Sequence, residues 1–77
     1  MNTLMKPSHH DKTVEKLDFI EQWLPARYTN SVNIILKNEP RDPAYIRKVR
    51  NKKIIDSKVT DALYKISLIN KFQTENN

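Results

Sequence analysis

The sequence predicts an all-α protein, a compact bundle of about four short helices. Three observations carry that expectation. Apolar residues recur at three- and four-residue spacing in separate segments of the chain. Pro25, and Pro40 and Pro43 with Asn38 and Asp42 close by, divide those segments where helices should stop and start. No segment alternates with period two for long enough to make a strand.

The 77 residues suffice for one small domain with a modest core. They are too few for a deep substrate pocket with a supporting layer behind it. Residues 1–10 show no periodicity and read as a flexible tail, residues 11–72 as the helical domain, and residues 73–77 as a frayed polar end. Two adjacent histidines on such a tail, His9 and His10, make a poor chelate, so no metal site is expected there.

The first helix should run from about Asp11 to Trp23. Val14, Leu17, Ile20 and Leu24 form its apolar stripe, and Lys12, Glu15, Asp18 and Glu21 its solvated side. Pro25 disfavours helix at the residue before it. The second helix should span about Tyr28 to Lys37, with Tyr28, Val32, Ile35 and Leu36 on one face. Thr29 and Asn30 stand near its start, where they could cap it or touch a phosphate.

A four-residue turn, Asn38-Glu39-Pro40-Arg41, follows. Asp42-Pro43 is a strong start signal for the third helix. Aspartate accepts bonds from orphan N–H groups at the N-cap, and proline lacks only a donor that has no partner there anyway. This helix should end near Arg50 or Asn51, with Ile46 and Val49 marking its buried side. At about 100° per residue, Ala44, Arg47, Lys48 and Asn51 then point away from the core, and Tyr45 and Arg50 lie at the flanks.

Residues 52–55 connect to the last helix, with Ile54 and Ile55 expected to plug the core. Asp56 or Ser57 should cap the fourth helix. Val59, Leu63, Ile66 and then Leu68 or Ile69 continue its stripe, with Ala62 at a close-packing position.

Composition narrows the function. With 14 basic and 9 acidic residues the net charge is +5, which favours polyanionic partners. The absence of cysteine excludes disulfides and zinc–thiolate sites. The absence of glycine excludes glycine-rich phosphate cradles. It also obliges another residue to take any left-handed position, for which Asn38 and Asn51 are expected. No apolar run reaches membrane-spanning length, and no leader-like stretch opens the chain, so a cytoplasmic protein is expected. No nucleophile–base arrangement is visible, and the helix-one carboxylates look like ordinary surface pairing, so enzymatic activity is not expected. Nothing calls for a cofactor, a membrane or a small-molecule substrate.

The positive charge is concentrated. Five of the seven residues from Arg47 to Lys53 are basic. A helix, a short turn and a short basic helix make the layout of a helix-turn-helix, in which the second helix enters the major groove. Ala44, Arg47 and Lys48 would then face base edges, with Asn51 just behind. Arg50, Lys52 and Lys53 would pair with phosphates. Tyr45 would either join them or pack half-buried on the core.

Residues 24–66 resemble the phage-repressor and Cro type of helix-turn-helix domain, in a small bacterial form. Leu24-Pro25-Ala26-Arg27-Tyr28 matches that family's Leu-Pro-x-x-Tyr, and Asp42-Pro43-Ala44-Tyr45-Ile46-Arg47-Lys48-Val49 matches its recognition helix. Asp56-Ser57-Lys58-Val59-Thr60-Asp61-Ala62-Leu63 matches the helix that follows. The chain departs from the pattern in lacking glycine in the turn and in the basic connector, where Asn51 or Lys52 stands instead.

The resemblance implies a sequence-specific, repressor-like regulator that binds double-stranded DNA. One short helix reads few bases, so a homodimer is also expected. Phe19, Trp23 and Phe72 are candidate contacts for it. The competing reading is a small helical adaptor, such as a phage or mobile-element factor, that uses the same basic face on an acidic protein surface. Structured RNA is a third option.

Overall fold

The computed structural model describes the backbone of residues 8–76 and the side chains of residues 14–76. It is all-α, with helices α1 (Ser8–Trp23), α2 (Thr29–Leu36), α3 (Pro43–Arg50) and α4 (Ser57–Glu75) and no strand among the described residues. The backbone of α1 opens at Ser8, ahead of the expected Asp11. The remainder of the expected N-terminal tail, and the side chains of His9 and His10, lie outside the described residues.

Each boundary has a local cause. Pro25 stops α1, and the carbonyl this leaves at Trp23 accepts from the Asn70 side chain at 2.8 Å. That bond joins the end of α1 to α4. Tyr28 is the N-cap of α2 and contributes no side-chain bond, so neither Thr29 nor Asn30 caps that helix. Both already stand inside its first turn. At α3 the Ala44 N–H donates to the Asp42 carboxylate at 3.1 Å, and Pro43 follows the cap as expected. At α4 the cap is Asp56, whose carboxylate accepts from the Val59 N–H at 3.2 Å.

The core consists of Ile20, Val32, Ile46, Val49, Val59, Ala62, Leu63 and Ile66. All four helices contribute, and α4 packs against each of the other three. Lys16 pairs with Asp61 and Phe19 packs edge-on against Tyr64. With Trp23 beside Asn70, these contacts show that α1 and α4 run parallel.

Several expected core positions face solvent instead. Val14 is exposed, because a strict three-residue step falls about 60° behind the helical period each time and carries it off the Ile20 face. Ile54 packs against the core while Ile55 is 99% exposed, so only one of the two expected plugs enters it. Leu68 and Ile69 are exposed as well. Past Ile66 the inward positions of a true 3.6-residue period are Ser67 and Asn70. Ser67 is fully buried, with its hydroxyl donating to the Leu63 carbonyl at 2.9 Å. Finally, α4 continues to Glu75, past residue 72 where the helical domain is expected to end, and the Asn76 N–H closes its last turn on the Phe72 carbonyl.

Candidate nucleic-acid interface

The connection from α2 to α3 spans residues 37–42, longer than the four-residue turn expected. Two devices brace it. The Asn33 side chain donates to the Arg41 carbonyl and accepts from the Arg41 N–H, both at 2.8 Å, so a side-chain amide pairs with the connector as a neighbouring backbone would. The Arg41 guanidinium then lies 3.8 Å from Glu39, 3.7 Å from Asp56 and over the Tyr45 ring. Glu39 also accepts from Lys58 at 2.8 Å, and that bond is the main reason its carboxyl is held below the ordinary range.

The left-handed positions fall one residue away from the expected asparagines. Among the described residues they are Lys37 at φ 55° and Lys52 at φ 68°, whereas Asn51 has φ −88°. The Lys52 position follows from how α3 ends. The Lys53 N–H bonds to the Lys48 carbonyl at 2.8 Å and the Lys52 N–H to the Val49 carbonyl at 3.0 Å. This is the paired closure of a Schellman motif, which requires φ > 0 one residue past the C-cap. Asn51 is that C-cap, so Lys52 takes the place glycine usually fills.

α3 buries Ile46 and Val49 and exposes Ala44, Arg47, Lys48 and Asn51 on its other side. Lys53 is exposed as well and Arg50 is half-buried. From Pro43 to Ile55 there are five basic residues and no acidic one. Among the described residues, Arg47, Lys48, Arg50 and Lys53 form no ion pair. Lys52 reaches Glu21 on α1 at 3.7 Å, and both side chains are more than half exposed. Such a pair is worth at most about 1 kcal/mol and is readily exchanged for a phosphate.

Tyr45 is committed elsewhere. Its hydroxyl donates to the Asp56 carboxylate at 2.6 Å, the packed alternative of the two expected for it. The bond raises the Tyr45 pKa and, with the Val59 N–H and Arg41, lowers that of Asp56. Thr29 and Asn30 stand on the first turn of α2, Thr29 half-buried and Asn30 exposed. Among the expected dimer contacts, Phe19 rests on Tyr64 at 5.2 Å and Trp23 lies under the Lys71 ammonium, so the fold itself uses both. Phe72 remains exposed.

Asn33, Arg41 and Asp56 hold α3 in place but are not apparent as a group in the sequence. Asn33 alone leaves a signal, as a polar residue within the apolar run Val32–Leu36.

Among the described residues no helix is long and apolar enough to cross a membrane, and no group of His, Cys, Asp or Glu is arranged to hold a metal ion. Comparison with family models, with curated proteins and with solved structures finds no match for this chain.

Proposed function

We propose that this protein binds double-stranded DNA in the manner of a helix-turn-helix regulator, with α3 as the helix offered to the major groove. The observation that carries the reading is the outer side of α3 and its connector, where four cations have no ion-pair partner among the described residues and no acidic residue stands between Pro43 and Ile55. An Arg or Lys engaged within the protein must break that bond before reaching a phosphate; Arg47, Lys48, Arg50 and Lys53 need not. Arg47 and Lys48 project from the helix opposite Ile46 and Val49, where a groove-bound helix meets base edges. Arg50, Lys52 and Lys53 extend the charge along the connector, as phosphate contacts require. A cytoplasmic, repressor-like role agrees with this surface.

A second reading, an adaptor for an acidic protein, draws on Ile55. Its full exposure beside Lys52 and Lys53 adds an apolar element that a protein partner could cover.

Fluorescence anisotropy of a labelled random duplex separates the two. The DNA reading requires micromolar binding at low salt, and log K falling with log salt at about 0.9 per phosphate neutralised. Four or five contacts give a slope of about −4. Absence of binding at low salt rejects the DNA reading in favour of the adaptor.

A further inference from the structure

α1 ends beside Asn70, but α4 continues to Glu75, so its last turn extends past the end of α1. The outer side of the C-terminal end of α4 is apolar: Leu68 is 42%, Ile69 54% and Phe72 67% exposed. Phe72 lies about 180° around the helix from Leu63, which is fully buried. No described part of the chain covers these side chains.

We propose that this face docks a second copy of the chain, with the two α4 helices antiparallel about a two-fold axis near Asn70. The argument rests on charge and spacing. Lys65, Leu68, Phe72 and Glu75 follow one another at intervals of three, four and three, the spacing of a helix–helix seam. A cation closes one end of this stripe and a carboxylate the other. In an antiparallel pair centred on Asn70, Leu68 meets the partner's Phe72 and Lys65 meets the partner's Glu75. A parallel pair would set Lys65 against the partner's Lys65 and Glu75 against the partner's Glu75. The stripe is therefore self-complementary in one orientation only, and that orientation has the isologous symmetry of a closed dimer. Lys65 has no ion-pair partner among the described residues, while Glu75 is held only by Lys71 on the helix surface. The dimer does not depend on what α3 binds.

Sedimentation equilibrium of the intact chain tests the arrangement, with far-UV circular dichroism confirming that each variant is folded. The wild type is expected to sediment at twice the 9.1 kDa of one chain. Lys65→Glu alone and Glu75→Lys alone each set like charges opposite one another and should weaken the dimer about tenfold or more. Combining them restores opposite charges and should return the affinity close to that of the wild type. Folded Phe72→Ser should sediment as a monomer. A wild type that stays monomeric at high micromolar concentration overturns the proposal and leaves the face to a different occupant. A combined variant that dimerises no better than the single ones also overturns it. Arg47→Ala with Lys48→Ala serves as control: it changes duplex binding while leaving the sedimentation as it was.

Discussion

The Tyr45 hydroxyl donates to the Asp56 carboxylate at 2.6 Å, so the helix bearing the basic face is tied to the residue that caps the next helix. The carboxylate also accepts from Val59 and lies 3.7 Å from Arg41, bringing three parts of the chain to one group. The bond from Tyr45, followed by the Val59 N–H and Arg41, keeps Asp56 below its ordinary value of 3.8. A depressed carboxyl stabilises the fold above its unfolded pKa, and that contribution is lost as pH falls through the folded one. The loss therefore begins near pH 4 and deepens below it. Tyr45 is shifted upward from 10.0, chiefly by the same bond, so its contribution holds below that pH and is lost above it. Tyr45→Phe should lower stability to urea at neutral pH and move the acid unfolding midpoint upward. The gap between wild type and variant should narrow toward pH 3. A gap of constant size across that range would show that the bond to ionised Asp56 is not its source.

Asn33 makes two bonds to the backbone of Arg41, and few residues could replace it. Asn33→Ala leaves a partly buried N–H and C=O without their partner, at a cost of about 2 kcal/mol. Asn33→Asp keeps the acceptor for the Arg41 N–H but turns a second oxygen toward the Arg41 carbonyl, so it should rescue little. Thermal denaturation of both variants decides the matter: if Asn33→Asp is as stable as the wild type, the amide pairing does not brace the turn.

Lys37 holds φ 55° and ψ −92° at the end of α2, where the Glu39 N–H closes a turn on the Leu36 carbonyl. This backbone region suits glycine and is costly for a residue with a Cβ. Relief of that strain should outweigh the added freedom of glycine in the unfolded chain. Lys37→Gly should therefore raise stability by about 1 kcal/mol, read as a shift in urea midpoint with unchanged slope. A drop in midpoint would mean that Lys37 sits there without strain.

The helices were legible because their signals are local. Asp42-Pro43 and Asp56 open α3 and α4 through bonds made within three residues, and a period of 3.6 needs no partner to be visible. The buried pair Ile46 and Val49 follows from that period, as does the exposure of Arg47 and Lys48. What depends on distant chain was not legible. The turn between α2 and α3 is set by Asn33 reaching across to Arg41, and the fate of Tyr45 by Asp56, eleven residues on. That the polar Ser67 and Asn70 take the inward positions past Ile66 shows only in their partners, the carbonyls of Leu63 and Trp23. Lys52 at φ 68° in a glycine's place reflects a chain without glycine, in which a closed helix end outweighs local preference.

The residues around α3 should differ in the kind of loss they produce on DNA. Arg47 and Lys48 project from the outward side of α3, so on the proposed DNA-binding reading replacing both by Ala should weaken a duplex selected for tight binding by a few kcal/mol and a random duplex much less. Lys53 belongs to the connector, and Lys53→Ala should weaken both duplexes alike and reduce the salt slope by about 1. Tyr45→Phe should leave the slope unchanged, because the hydroxyl is already bonded to Asp56 and gives nothing to a phosphate. Anisotropy titrations of the three variants against both duplexes, at two salt concentrations, separate these behaviours. Equal losses on both duplexes for Arg47→Ala with Lys48→Ala would reduce α3 to an electrostatic anchor. Selective loss on the selected duplex places the base contacts on its outward face.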